Sequence, residues 1–197
     1  MSTVISYYQN LSRGLDRADW ILPTVARFLF AAVFLMYFWV SGLTKLEGGI
    51  FSPSVGAYAQ IFPRVMEIVG YDSSQLDLFH TLVVLAGTWA EFILPFLIVI
   101  GLLTRLSAFG MIGFLIVQTL TDLYGHGAIG EASTVGAWFD KTPDAAIMDQ
   151  RALWLFLLLV LVIKGGGPLS LDRVFLRNAP SAHRVSPPQS QAGHPAP

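Results

Sequence analysis

Apolar positions crowd into four stretches of the chain, residues 21–43, 80–103, 106–123 and 144–163, and polar or glycine-rich segments separate them. Each stretch holds about 20 residues, and at a helical rise of about 1.5 Å that length matches the roughly 30 Å hydrocarbon core of a bilayer. The pattern predicts four membrane-spanning helices. The first, at 21–43, is too long for the apolar core of a signal peptide and lacks a small-residue cleavage pattern, so it is read as a retained span. Trp20 and the Tyr37-Phe38-Trp39 group mark its interfaces, Pro23 suits its first turn, and Lys45 closes its far end.

Between the first and second spans, residues 46–77 carry Val55, Tyr58, Ile61, Phe62, Val65 and Met66 at roughly helical spacing. This predicts an amphipathic segment that lies on the membrane surface or caps the bundle. The turn at Thr104 and Arg105 is short, so the third span returns antiparallel beside the second. Thr142-Pro143 is a suitable start for the fourth helix, with Thr142 as its cap. Gly165-Gly166-Gly167-Pro168 stops it. Ser170 is placed to cap a short interfacial helix carrying Leu171, Val174 and Phe175, with Arg173 and Arg177 toward the headgroups. The fold class is therefore all-α: a four-helix integral membrane bundle over residues 1–177, followed by a Pro/Ser/Gln-rich tail at 178–197 expected to be disordered and cytoplasmic.

Composition supports that class. Of the 197 residues 54% are hydrophobic and 13% charged, with a mean hydropathy of +0.60, too apolar for an ordinary soluble domain. A net charge of −1 offers no basic footprint for nucleic acid. The absence of cysteine removes disulfides, thiolate metal sites and persulfide chemistry, so any redox role needs a bound cofactor or a partner. Arg13, Arg17, Arg105, Lys164, Arg173, Arg177 and Arg184 fall on the side of the two termini, against Lys45, Arg64, Lys141 and Arg151 on the other. That bias predicts both termini in the cytoplasm.

Two charged residues lie inside spans. Glu91 stands near the middle of the second and Arg27 about one turn into the first. An ionisable group at that depth costs roughly 2.5 kcal/mol or more unless neutralised or paired, which makes it a functional-site candidate. The long Arg27 side chain is the first candidate partner for Glu91. His80, Gly87, Thr88 and Glu91 share one helical face, and Gln118 and Asp122 share another on the third span, with His126 beyond them. The histidine spacing matches no metal or haem motif, and no metal site is expected. A dry slot with a few polar groups such as His80, Gln118 or Glu91 among aromatic walls, Trp89 and Trp154 included, would suit a quinone.

Arg27 followed by an apolar helix and Gly42-Leu43-Thr44-Lys45, Glu91 followed by Gly101-Leu102-Leu103-Thr104-Arg105, and Gly167-Pro168-Leu169-Ser170-Leu171-Asp172 after the last span together resemble the DoxX family of small four-helix bacterial membrane proteins, over roughly residues 20–176. The resemblance implies an inner-membrane subunit that supports a quinone-linked oxidoreductase in sulfur or oxidative-stress metabolism, with quinone as the cofactor and a membrane or cytosolic protein as partner. Whether the chain is itself catalytic stays open. An assembly or scaffold protein is the alternative, and a small transporter is disfavoured by there being four spans with one candidate charge pair. Ala31 and Ala32, Pro95 and Gly166-Gly167-Pro168 depart from the family's pattern. Pro95 cannot donate to the carbonyl of Glu91, which predicts a kink beside the carboxylate.

Overall fold

The structure, a computed structural model, describes residues 2–178. The tail expected from residue 178 onward otherwise lies outside the described residues. Among the described residues four helices are long and apolar enough to cross a membrane: Ile21–Thr44, Leu78–Ile100, Thr104–Gly125 and Ala146–Lys164. Within the apolar window of each span 22–28% is buried inside the protein, and the exposed apolar side chains of each helix suit contact with lipid. Phe28, Val33, Phe109, Ile116, Leu153 and Phe156 belong to that outer surface. The inner surfaces meet in a core of Phe30, Phe34, Phe38, Ile98, Ala108, Met111, Leu115, Leu158 and Leu161. Phe30, Phe34 and Phe38 recur every four residues along one face of the first span, with neighbouring ring centroids 5.5 and 6.4 Å apart.

The first span changes to π-helical winding at Ala31–Leu35, and the same winding ends the third span at Thr121–Gly125 and opens the fourth at Ala146–Arg151. Such turns rotate the side chains that follow them relative to a regular helix and often accompany functional sites. The second span stays one helix through Pro95, which is buried within it. Asp77 caps its start by accepting from the His80 backbone N–H at 3.2 Å. Gly101 ends it in the left-handed conformation, φ +72°, that only glycine adopts without strain.

The segment before the second span forms two short helices, Val55–Ile61 and Pro63–Ile68. Their apolar positions pack as a cluster of Ala57, Tyr58 and Met66 on Val84 of the second span, which makes the segment a seated cap. The Tyr58 and Thr81 hydroxyls lie 2.9 Å apart, and His126 Nε2 lies 3.0 Å from the carbonyl of Gln60. The cap is thereby tied to the second span and to the end of the third. Thr142 does not cap the fourth span: its N–H and hydroxyl both turn to Asp140, and the helix begins at Ala146. Asp149 reaches back to accept from Ala145 N–H at 3.0 Å and takes over the capping role. Two further helices, Ser2–Arg17 and Leu171–Asn178, flank the bundle.

Candidate functional site

Glu91 does not meet Arg27. Its partner is Lys45, whose Nζ donates to Oε1 at 2.7 Å and Oε2 at 2.8 Å. The side chains are 4% and 6% exposed, and the third ammonium donor goes to Ser41 Oγ at 2.7 Å. All three Lys45 donors are therefore used, which is the condition for a buried cation to persist without a large desolvation penalty. Counting residues from the ends of the two spans places Lys45 at the rim and Glu91 at mid-depth. Close packing brings them level instead. Gly42, three residues before Lys45, lies against Phe92 so tightly that a Cβ there would stand 2.7 Å from the ring. Trp39 Nε1–H donates to the Phe92 carbonyl at 3.2 Å.

Arg27 has a different task. Nε donates to Ile98 O at 3.0 Å, Nη2 to Val99 O, and Nη1 to Gly166 O at 2.9 Å and Leu169 O at 3.1 Å. Ile98 and Val99 belong to the last turn of the second span, where the carbonyls run out of intrahelical donors and carry the negative end of the helix dipole; Ile98 O also accepts from Gly101 N–H at 3.1 Å. A guanidinium with its donors in a rigid fork satisfies that end and the glycine-rich turn together. The sequence placed Arg27 inside the first span but did not reveal this stronger set of acceptors.

The Lys45–Glu91 pair forms part of the wall of a cavity of about 420 Å³ between the first three spans and the cap. Small residues open it: Ala86, Gly87 and Ala90 on the second span face Gly110 and Gly113 on the third. Tyr37, Phe38, Leu94, Phe114 and Val117 supply apolar walls, and Gln60 and Ile61 of the cap close one side. Nothing lies within 4 Å of a Cβ built at Gly113, which is an exposed position on a span, so the cavity has a lateral opening toward lipid. Gln118 also lines the cavity. Its Nε2 lies 3.5 Å from Tyr37 Oη, while its buried Oε1 has no partner among the described residues. Oε1 is an acceptor waiting for a donor.

Asp122 lines the same cavity and pairs with Arg151 of the fourth span, whose Nη1 also donates to Thr119 Oγ1 at 2.9 Å. Arg151 is buried, and the sequence showed it only as one of the four basic residues on the side away from the termini. The remaining expected positions fall elsewhere. Thr88 is fully buried, with its hydroxyl donating to Val84 O at 2.8 Å. His80 packs on the ring of Phe62 and lies 2.6 Å from Asp77 Oδ1 through Nδ1. Hydrogen bonds from the His80 backbone and then from its ring hold the Asp77 carboxyl below the usual carboxylate range. Neither His80 nor Thr88 lines the cavity, and Trp89 and Trp154 do not line it either; Trp154 stacks edge-on against Phe34 in the core. Glu91, Gln118 and Asp122 are thus brought together, and Lys45, Ser41, Tyr37 and Arg151 join them.

A family model described as DoxX matches residues 22–122. The chain belongs to the DoxX family. The matched region covers the first span from residue 22, the cap, the second span and the third span as far as residue 122, and so includes the whole lining of the cavity, the Lys45–Glu91 pair and Arg27. It ends before the fourth span, so Arg151 and the Gly166 and Leu169 carbonyls that hold Arg27 lie beyond the match. Neither a curated protein nor a solved structure matches the chain at a significant level.

Proposed function

We propose that this DoxX-family membrane protein binds a lipid-soluble quinone in the cavity beside Lys45 and Glu91, and supports a quinone-linked oxidoreductase whose redox centre resides on a partner. The observation that carries the reading is the cavity itself: it is mostly apolar, opens toward lipid, lies in the size range of small-molecule sites, and holds a few convergent polar groups. A quinone presents carbonyl acceptors and a quinol presents hydroxyl donors. The Ser41 and Tyr37 hydroxyls suit the first, and Gln118 Oε1, which lacks a donor, suits the second. With every Lys45 donor occupied, the ion pair serves as a fixed polar wall.

The reading includes a bacterial inner-membrane location with both termini in the cytoplasm, supported by the distribution of Lys and Arg between the two sides. The test is mass spectrometry of small molecules extracted from protein purified in mild detergent, wild type beside Gly113→Leu. Gly113→Leu fills the cavity mouth without touching the ion pair, so the expected result is quinone in the wild type and loss of most of it in the variant. Equal quinone content in the two proteins, or none in either, overturns the proposal. A specific protein co-purifying without quinone would favour the assembly role instead.

A further inference from the structure

At the opposite end of the bundle, where Arg27 is held, the second and third spans turn sharply and the fourth runs into Gly165-Gly166-Gly167. These segments and the helix Leu171–Asn178 surround an open depression of about 760 Å³. Its polar wall carries Arg105, Lys164 and Arg173. Lys164 is already paired with Asp19 at 2.7 Å, while Arg105 and Arg173 have no carboxylate partner among the described residues. The carboxylate in the wall, Asp172, is committed: it accepts from Leu103 N–H at 2.6 Å and Thr104 N–H at 2.9 Å at the start of the third span.

Two further observations point to a ligand. Thr104 is fully buried, its Oγ1 has no hydrogen-bond partner among the described residues, and it lines this depression. A buried hydroxyl without a partner is uncommon in a folded protein and has a donor and acceptor to offer. Gly165 and Gly166 pack closely beside it: a Cβ at Gly166 would stand 2.5 Å from Ser170 Cβ and 2.6 Å from Thr104 Oγ1, and one at Gly165 would stand 3.3 Å from Arg105 Nε. The rim is apolar, with Leu103, Leu106 and Phe175 exposed by more than half. Free phosphate has no use for such a rim. Acyl chains do.

We infer that the depression lined by Thr104, Arg105, Gly165, Gly166 and Arg173 binds the phosphate of an anionic phospholipid, with its acyl chains lying along Leu103, Leu106 and Phe175. The two unpaired guanidinium groups supply charge and bidentate donors, and Thr104 Oγ1 supplies a hydroxyl in the wall. The site is distinct from the Lys45–Glu91 cavity and is independent of the quinone reading.

The test is native mass spectrometry of the full-length protein in neutral detergent with phosphatidylglycerol, phosphatidylcholine or inorganic phosphate added in turn. Phosphatidylglycerol is expected to be retained in preference to phosphatidylcholine, and on the order of fivefold more weakly for each charge removed in Arg105→Gln and Arg173→Gln. Thr104→Val should weaken retention while leaving the protein folded, since its hydroxyl has no intramolecular bond to lose. Equal retention of the two lipids, or retention unchanged in the double arginine variant, overturns the proposal. Displacement of phosphatidylglycerol by millimolar inorganic phosphate would assign the site to a free anion and overturn the lipid assignment.

Discussion

Lys45 Nζ sits 2.7 Å from one carboxylate oxygen of Glu91 and 2.8 Å from the other, although 46 residues separate them in the chain. Both side chains are almost sealed from solvent, in a part of the bundle where nothing else among the described residues neutralises Glu91. The attraction offsets the desolvation of the pair but does not make it better than a well-packed apolar replacement. Stability alone therefore does not account for the pair, and its place in the wall of the cavity is what the proposed quinone role draws on.

That relationship predicts an asymmetry. Lys45→Met leaves Glu91 without its counter-charge and should lower stability by about 3–5 kcal/mol, an upper figure because Glu91 can take up a proton. Lys45→Met combined with Glu91→Leu removes both buried charges and should recover most of the loss. Thermal unfolding in detergent measures both variants and Glu91→Leu alone, and a double variant whose loss equals the sum of the two single losses would show that the two groups are not coupled.

Arg27 predicts a second, independent loss. Four carbonyls from the end of the second span and the glycine-rich turn accept from its guanidinium. Ile98 O keeps the Gly101 N–H, but the compact ammonium head of lysine cannot span the other three carbonyls, so Arg27→Lys leaves at least one of Val99, Gly166 and Leu169 O unpaired at a cost of about 1–3 kcal/mol. Arg27→Met should cost more. Matching melting temperatures for wild type and Arg27→Lys would refute the capping role.

Gly101 lies where the Arg27 and Ser170 side chains converge. A Cβ there would meet Ser170 Cβ at 2.6 Å and Arg27 Cζ at 2.8 Å, and the residue has φ +72°. Gly101→Ala should therefore destabilise by more than the roughly 1–2 kcal/mol of the left-handed conformation alone. Gly113→Ala, where a Cβ meets nothing within 4 Å, is the matched control and should be nearly neutral. The difference between the two melting temperatures is the measurement.

The four spans were legible because a bilayer imposes a length and a polarity on every helix that crosses it, and both are one-dimensional properties of the chain. The cap was legible from the spacing of Val55, Tyr58, Ile61 and Met66 for a similar reason. The partner of Glu91 was not. Depth counted along each helix ranks Arg27 as the nearer charge, whereas the actual partner follows the close approach of Gly42 to Phe92. The role of Arg27 was hidden for a related reason: its acceptors are backbone carbonyls, present at every position and marked by no residue type. Gln118 and Asp122 were found as polar residues on one face of the third span. Arg151, one of the polar residues in the fourth span's first turns, could be assigned to Asp122 only once the packing of the third and fourth spans was known.

Asp77 sets a pH dependence at the start of the second span. The His80 backbone N–H and then the His80 ring hold its carboxyl below the usual carboxylate range, and the group is exposed. A carboxylate whose pKa is lower in the folded than in the unfolded protein contributes stability that is fully present above the unfolded value, near 4, and is lost as pH falls through the folded value. Acidification below about pH 4 should therefore release the helix cap and lower the melting temperature. Asp72, lowered by hydrogen bonds from Ser74 and Gln75, adds to the same slope, so the informative comparison is with Asp77→Ser, which keeps a capping oxygen but removes the titration. Between neutral pH and pH 3, Asp77→Ser should lose less stability than the wild type. Identical acid-side slopes for the two proteins would show that Asp77 carries no linked proton.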